Sequence, residues 1–90
     1  MFINKTADKR NNICGKNVAQ FRKQTRLSQR QLADNLQLIG LDVDKNAVQR
    51  MESGQRFVTD IELVALCKAL NKTPYELLAT NDEFDTLPKP

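Results

Sequence analysis

Side chains that can hydrogen-bond to the edges of DNA bases are concentrated in one short stretch, DKNAVQRMESGQR, at residues 44–56. Arginine and lysine bond to guanine O6 and N7, asparagine and glutamine bond to adenine N6 and N7, and an alanine methyl can contact the thymine methyl. The candidates for base reading are Lys45, Asn46, Ala47, Gln49 and Arg50. Val48 and Met51, spaced i and i+3, suffice to seat one face of a helix on a core. The stretch therefore predicts a short helix whose polar side reads DNA, and a surface helix decorated with polar residues is the alternative.

Residues that can bind phosphate flank this stretch on both sides. Gln29 and Arg30 lie at the predicted start of the preceding helix, where free amide groups and the helix dipole favour an anion. Gln55 and Arg56 follow the base-reading candidates directly and can reach a neighbouring phosphate. These four residues are the predicted phosphate contacts.

The basic residues are segregated along the chain, which carries a net charge of +3 over its 90 residues. Residues 1–56 hold 11 Lys and Arg against 5 Asp and Glu, whereas residues 57–90 hold 3 against 6. A positive half of this kind indicates an anionic partner, with nucleic acid first and a membrane surface second. The alternative is a solvated surface with uneven charge.

Several classes of function lack the residues that they need. The chain has no histidine, so it lacks the usual general base, the commonest zinc ligand and the serine and cysteine triads. Cys14 and Cys67 are far apart and form no metal-binding spacing, and Asp42 and Asp44 are better explained as helix caps. We therefore expect no catalytic residues, no metal and no cofactor. The start of the chain lacks an apolar signal core, and no apolar run approaches the roughly 20 residues needed to span a membrane, so a cytoplasmic location is expected.

Helix signals place these side chains within an all-α fold. S-x-x-Q at Ser28 opens a predicted helix over 28–37, Asp44 caps one over 45–52, and T-x-x-E at Thr59 opens another. Thr73 followed by Pro74 starts the last helix. An earlier helix follows from the spacing of Cys14, Val18 and Phe21, with Asn11 or Asn12 as its cap. We expect the fourth helix to be the most buried, because it has a wide apolar face: Ile61, Leu63, Val64, Leu66, Cys67 and Leu70. The chain thus divides into a flexible N-terminal arm (1–11), one five-helix domain (12–80) and a short tail (81–90).

Three segments of the chain resemble the phage-repressor and Cro type of helix-turn-helix, also called the xenobiotic-response-element type. They are LSQRQLADNL, NAVQRMESGQR and ELVALCKALNKTPYELL, and the resemblance covers roughly residues 13–80. It implies a compact, lambda-repressor-like five-helix bundle in which helices 2 and 3 form the helix-turn-helix. It also implies a transcriptional regulator, usually a repressor, that acts as a homodimer on a two-fold operator in double-stranded DNA.

The resemblance also assigns roles to particular residues. Gln29 matches a glutamine that contacts phosphate and supports the reading helix, and Lys45, Asn46, Ala47 and Arg50 match the base-facing positions, with Gln49 beside them. Arg22 and Glu52 match a pair that forms a structural salt bridge between the first and third helices. Cys67 falls where the family usually has alanine, which implies a buried, inert thiol.

The chain departs from the family pattern between helices 2 and 3. The family joins them by a turn of about 3–4 residues, and here the distance from Ala33 to Glu52 is about five residues longer. The extra length falls in LQLIGLDVD, where it can lengthen the second helix, cover the core or shift the reading helix in the groove. We expect the apolar residues of this segment to pack on the core rather than on a partner: Leu38, Ile39, Leu41 and Val43.

A protein-interaction module, such as an antitoxin or an adaptor with secondary DNA binding, is the alternative function. The segments LIGLDV and EFDTLP would be its surfaces. We predict the dimer interface within residues 71–87, with Tyr75, Phe84 and Leu87 as candidates. A protein effector is possible, and no membrane partner is expected.

Overall fold

The computed structural model describes residues 5–80, which contain five α-helices and no strand. These are α1 (Gly15–Gln24), α2 (Gln29–Ile39), α3 (Lys45–Ser53), α4 (Asp60–Leu70) and α5 (Pro74–Leu78). The all-α, five-helix prediction is therefore confirmed. Within this part of the chain, no helix has the length and apolar character needed to cross a membrane.

Side-chain caps set the starts of α2 to α5, whereas α1 begins after Cys14 without one. Reciprocal capping boxes form at Ser28, Thr59 and Thr73, each with the Gln or Glu three residues later. The carboxylate of Asp44 accepts the N–H of Ala47 at 2.8 Å and caps α3. A capping side chain satisfies a helix amide that has no partner within the helix, which is commonly worth about 1 kcal/mol. The predicted starts of α2 to α5 are therefore confirmed.

The core lies where α1, α2, α3 and α4 meet, and α5 closes one side. Its largest fully buried side chains are Leu32, Leu36, Met51, Leu66, Leu77, Val18 and Val48. Asn17 of α1 holds the last helix in place because its side-chain amide donates to the carbonyls of Leu77 and Ala79, at 2.8 and 2.7 Å. Both cysteines are free and buried. Burial raises the pKa of Cys14 to about 11 and also raises the pKa of Cys67.

The extra length between α2 and α3 is partly helical. Helix α2 runs two residues past the predicted end at 37, and Gly40 ends it with φ of 110°. Leu41 and Val43 pack on the core as expected. The expectation was wrong for Leu38, which is 86 % exposed, and for Ile39, which is partly exposed. At 100° per residue, Leu38 points about 200° away from the buried Leu36, so continuing the helix turns it outward.

Helix α4 has more buried residues than any other helix described, as predicted, but one flank of its apolar face is open to solvent. Leu66, Cys67 and Leu70 face the core, but Ile61 is 74 % exposed and Val64 is half exposed. Within residues 5–80, no other helix covers that flank of α4. Together with the end of α2 it forms an open groove of about 200 Å³.

Candidate nucleic-acid interface

The polar side of α3 is exposed while its apolar side is fully buried. Val48 and Met51 have no exposed surface. The side chains that reach solvent are Lys45, Asn46, Gln49 and Arg50, whereas Ala47 is half-buried at the edge of the core. No acidic residue lies between Lys45 and Arg50, so this side presents cationic and amide groups alone. It therefore offers the groups that bind base edges in a major groove.

An ion pair ties α3 to α1. The guanidinium of Arg22 donates to both carboxylate oxygens of Glu52, from Nε at 2.6 Å and from Nη2 at 3.0 Å. Only 10 % of the Arg22 side chain and 7 % of the Glu52 side chain are exposed. Arg22 Nη1 also donates to the carbonyl of Leu27 at 2.9 Å. The buried charge is thus paired and hydrogen-bonded, which a buried ion requires.

The four candidate phosphate contacts fall into two groups. The side chains of Arg30 and Gln55 are exposed. Gln29 is half-buried and donates to Glu52 Oε1 at 2.9 Å, so its amide supports α3 from the N-terminus of α2. Arg56 pairs with Glu62 of α4 at 2.8 Å and keeps a third of its side chain exposed. Arg30 and Gln55 therefore face solvent. Gln29 and Arg56 are bonded to glutamates within the protein.

The start of α2 keeps anion-binding capacity apart from these side chains. The capping box uses the amides of Ser28 and Gln31. The amides of Gln29 and Arg30, the first two of the helix, have no partner within the helix. They lie at the positive end of the helix dipole beside the Arg30 side chain, which favours a phosphate there.

The electrostatics of Glu62 depend on Arg56. Burial raises the pKa of Glu62, but the hydrogen bonds from the Arg56 guanidinium and the Thr59 amide outweigh it and leave the pKa below its ordinary value. Glu62 therefore stays charged and holds Arg56 beside the loop between α3 and α4. Sequence reasoning gave Glu62 only a capping role.

A segment that sequence reasoning missed lies against the end of α3. We call residues 6–12 the N-terminal clasp. Its donors reach five main-chain carbonyls at and beyond the last turn of α3, those of Met51, Glu52, Gly54, Gln55 and Arg56. Residues 1–11, predicted as a flexible arm, therefore include a part that packs on α3, and residues 1–4 lie outside the described part of the chain. The adjacent pair Asn11-Asn12 was the one available signal, and it was interpreted only as a helix cap. The N-cap of α1 is Cys14 and not either asparagine, although the side-chain oxygen of Asn12 accepts the N–H of Gly15, the first residue of α1, at 2.8 Å.

The predicted dimer interface is described only in part. Tyr75 is 76 % exposed and Leu78 is partly exposed, so both are accessible on α5. Phe84 and Leu87 lie outside the described residues. The predicted tail over 81–90 lies there as well.

The fold and this surface define the chain's class: two helices joined by a turn, with the second helix seated by one apolar side and polar on the other, form a helix-turn-helix. The family described as helix-turn-helix matches residues 18–77, and the chain belongs to it.

Two solved structures have a similar fold. The restriction-modification controller protein C.AhdI from Aeromonas hydrophila is 34 % identical, with a TM-score of 0.62 over 71 % of this chain and 86 % of that one. The clp gene regulator ClgR from C. glutamicum is 23 % identical, with a TM-score of 0.64 over 73 % of this chain and 79 % of that one, and this likeness concerns the fold alone. No curated protein sequence matches the chain.

Proposed function

We propose that this DNA-binding transcriptional regulator is a repressor that reads one operator half-site with the exposed side of α3. The observation that carries the proposal is that α3 has a buried apolar side and an exposed polar side. Val48 and Met51 are fully buried, while the side chains from Lys45 to Arg50 that can bond to bases are exposed. A surface helix without a partner has no need for this concentration of cationic and amide groups free of acidic residues.

In this proposal, sequence is read by the side chains of α3: Lys45, Asn46, Ala47, Gln49 and Arg50. Phosphates are held by Gln29, Arg30, Gln55 and Arg56. For Gln29 and Arg56 this requires that each keep its internal partner while a second donor turns outward, which an amide NH₂ and a guanidinium both allow. The basic part of the chain supplies the salt-dependent share of affinity.

We further propose that two copies bind a two-fold operator through an interface on α5 that includes Tyr75. The similarity to C.AhdI, a restriction-modification controller protein, supports a regulatory role, as does the helix-turn-helix family itself. A two-fold dimer places its half-sites about one helical turn, roughly 34–36 Å, apart. We propose that its effector is a protein. We also propose that the regulator acts in the cytoplasm and is not an enzyme.

Selection of bound sequences from a random DNA pool tests this function. We expect a two-fold consensus, whose symmetry would report a dimer. On the selected site, Arg50→Ala should weaken binding by about 1–3 kcal/mol, roughly 5- to 150-fold, and relax preference at one base pair. Equal loss on selected and random duplexes would refute base reading by Arg50.

Arg30→Ala provides the contrast within the same protein. It should weaken binding to all duplexes similarly and reduce the slope of log affinity against log salt by about 1. Lys68→Ala, which removes an equal charge from an exposed position on α4, is the matched control and should change the affinity and the salt slope much less. Absence of any DNA binding at low salt would favour the alternative, an antitoxin or adaptor module.

A further inference from the structure

The N-terminal clasp supplies hydrogen-bond donors to main-chain carbonyls in the last turn of α3. The last carbonyls of a helix have no donor within the helix. Arg10 Nη2 donates to the carbonyl of Glu52 at 2.6 Å. Asn12 Nδ2 adds a donor at 2.9 Å to the carbonyl of Met51, which also accepts the N–H of Gly54 at 3.2 Å. The positive charge of Arg10 also lies at the negative end of the helix dipole, where a cation stabilises the helix.

The clasp continues along the loop that follows α3. The main-chain N–H of Asn11 donates to the carbonyl of Gly54 at 2.7 Å, and its side chain donates to the carbonyl of Gln55 at 2.9 Å. Asn12 Nδ2 also donates to the carbonyl of Arg56 at 2.7 Å. The clasp thus holds the helix end and the two following phosphate candidates as one unit.

The clasp is itself held to α1 and closed by its own bonds. The N–H of Thr6 donates to the carbonyl of Arg10 at 2.8 Å, and the N–H of Arg10 donates to the hydroxyl of Thr6 at 2.9 Å. The hydroxyl of Thr6 donates to the carboxylate of Asp8, which pairs with Lys16 of α1 at 2.8 Å. The loop is thus closed by its own hydrogen bonds, and the exposed Asp8–Lys16 pair adds a contact to α1.

Two glycines make this close approach possible. A Cβ on Gly15 would overlap the carbonyl oxygen of Met51. A Cβ on Gly54 would come within 2.8 Å of Cζ and Nε of Arg10, whose side chain lies across this glycine. The first residue of α1 and the residue that follows α3 can therefore approach their neighbours this closely only because both are glycines.

We propose that Arg10, with Asn11 and Asn12, positions α3 for base reading, so that the clasp sets how well the protein discriminates between DNA sequences. The inference rests on the proposed function. Base contacts need side chains placed within hydrogen-bond geometry, whereas phosphate attraction acts at longer range. Loosening the end of α3 should therefore weaken specific binding more than binding to an unrelated duplex.

The test compares Arg10→Ala with Lys5→Ala, which removes the same charge from an exposed neighbour. Affinity is measured for a duplex selected by the wild type and for a scrambled duplex, at a temperature well below the unfolding midpoint of every variant. We expect Arg10→Ala to lower the ratio of the two affinities at least about fivefold, comparable to losing part of one base contact. Lys5→Ala should leave that ratio unchanged.

Asn12→Asp is the second variant, and it keeps the proposal testable even if Arg10→Ala folds poorly. It keeps the oxygen that accepts the N–H of Gly15 but loses the donors to Met51 and Arg56. The same loss of discrimination is expected. If the wild type discriminates and both variants keep its ratio, this inference is overturned alone. An equal fall for Lys5→Ala would also overturn it, and no discrimination by the wild type would overturn the proposed function together with it.

Discussion

Replacing either member of the Arg22–Glu52 pair should strongly destabilise the protein. The Glu52 carboxylate accepts N–H groups from Arg22 at 2.6 and 3.0 Å and from Gln29 at 2.9 Å. Both side chains of the ion pair are about nine-tenths buried. The substitution Glu52→Met would leave the Arg22 guanidinium buried without its counter-ion, and Arg22→Met would do the same to the carboxylate.

The expected cost can be set against the stability of the whole domain. Breaking one side of a buried pair costs about 3–5 kcal/mol, because an uncompensated charge remains out of water. A domain of this size has a free energy of unfolding of about 5–13 kcal/mol, from roughly 0.05–0.15 kcal/mol per residue. Either single substitution should therefore remove a large fraction of the stability and lower the midpoint of thermal unfolding by at least about 12 °C.

A double-mutant cycle followed by urea unfolding separates pairing from simple loss of packing. The double substitution Arg22→Met with Glu52→Met removes both charges and leaves two apolar side chains, which is often close to neutral. We expect it to cost less than the two single changes together, by 2 kcal/mol or more, within the range of measured coupling energies of about 0.5–3 kcal/mol. The exposed pair Lys16–Asp8 is the control, with a coupling of about 0.2–1 kcal/mol expected. If the single costs at Arg22 and Glu52 simply add, the pair does not tie α3 to α1.

Three further predictions concern the core and the titratable groups. Leu36→Ala should cost about 2–5 kcal/mol in urea unfolding because the side chain is fully buried, whereas Leu38→Ala should change stability little, and an equal cost would contradict the exposure of Leu38. Cys14, with its pKa raised to about 11 by burial, should react with a thiol reagent at pH 8 only as fast as the protein unfolds, and rapid labelling of the folded state would contradict its burial. The hydrogen bond from Lys16 lowers the pKa of Asp8 from 3.8 to about 2, so its stabilising contribution, present above pH 3.8, should be lost between these values as pH falls. NMR titration should show this pKa, and Lys16→Ala should return it toward 3.8.

Much of the fold follows from signals that act within four residues. The capping boxes at Ser28, Thr59 and Thr73 form as their spacing predicts, because cap and partner lie on the same helical turn. The exposed side of α3 follows in the same way from two apolar anchors, Val48 and Met51. The candidate base-reading surface could therefore be predicted from the sequence.

The features that were missed depend on how distant elements meet. Ile61 and Val64 are as apolar as their buried neighbours, and only the positions of α2 and α4 leave them exposed. Arg56 looks like a free cation in the sequence, and its pairing with Glu62 depends on the angle at which α4 follows the loop. The clasp acts mainly on backbone carbonyls, which every residue has, so the sequence of α3 carries no trace of it.

The longer connection between α2 and α3 does not leave α3 loosely held. Its first residues continue α2, and the rest is tied down, because Gln37 Nε2 donates to the carbonyl of Val43 at 2.8 Å and Val43 is buried. Further contacts hold the opposite end of α3, where the Glu52 side chain bonds to Arg22 and Gln29 and the Glu52 carbonyl bonds to Arg10. One residue of α3 thus joins the ion pair and the clasp. The start of α3, beside the added residues, is capped by Asp44, and its end is bonded to α1, the start of α2 and the clasp, so the candidate base-reading side chains lie between two fixed ends.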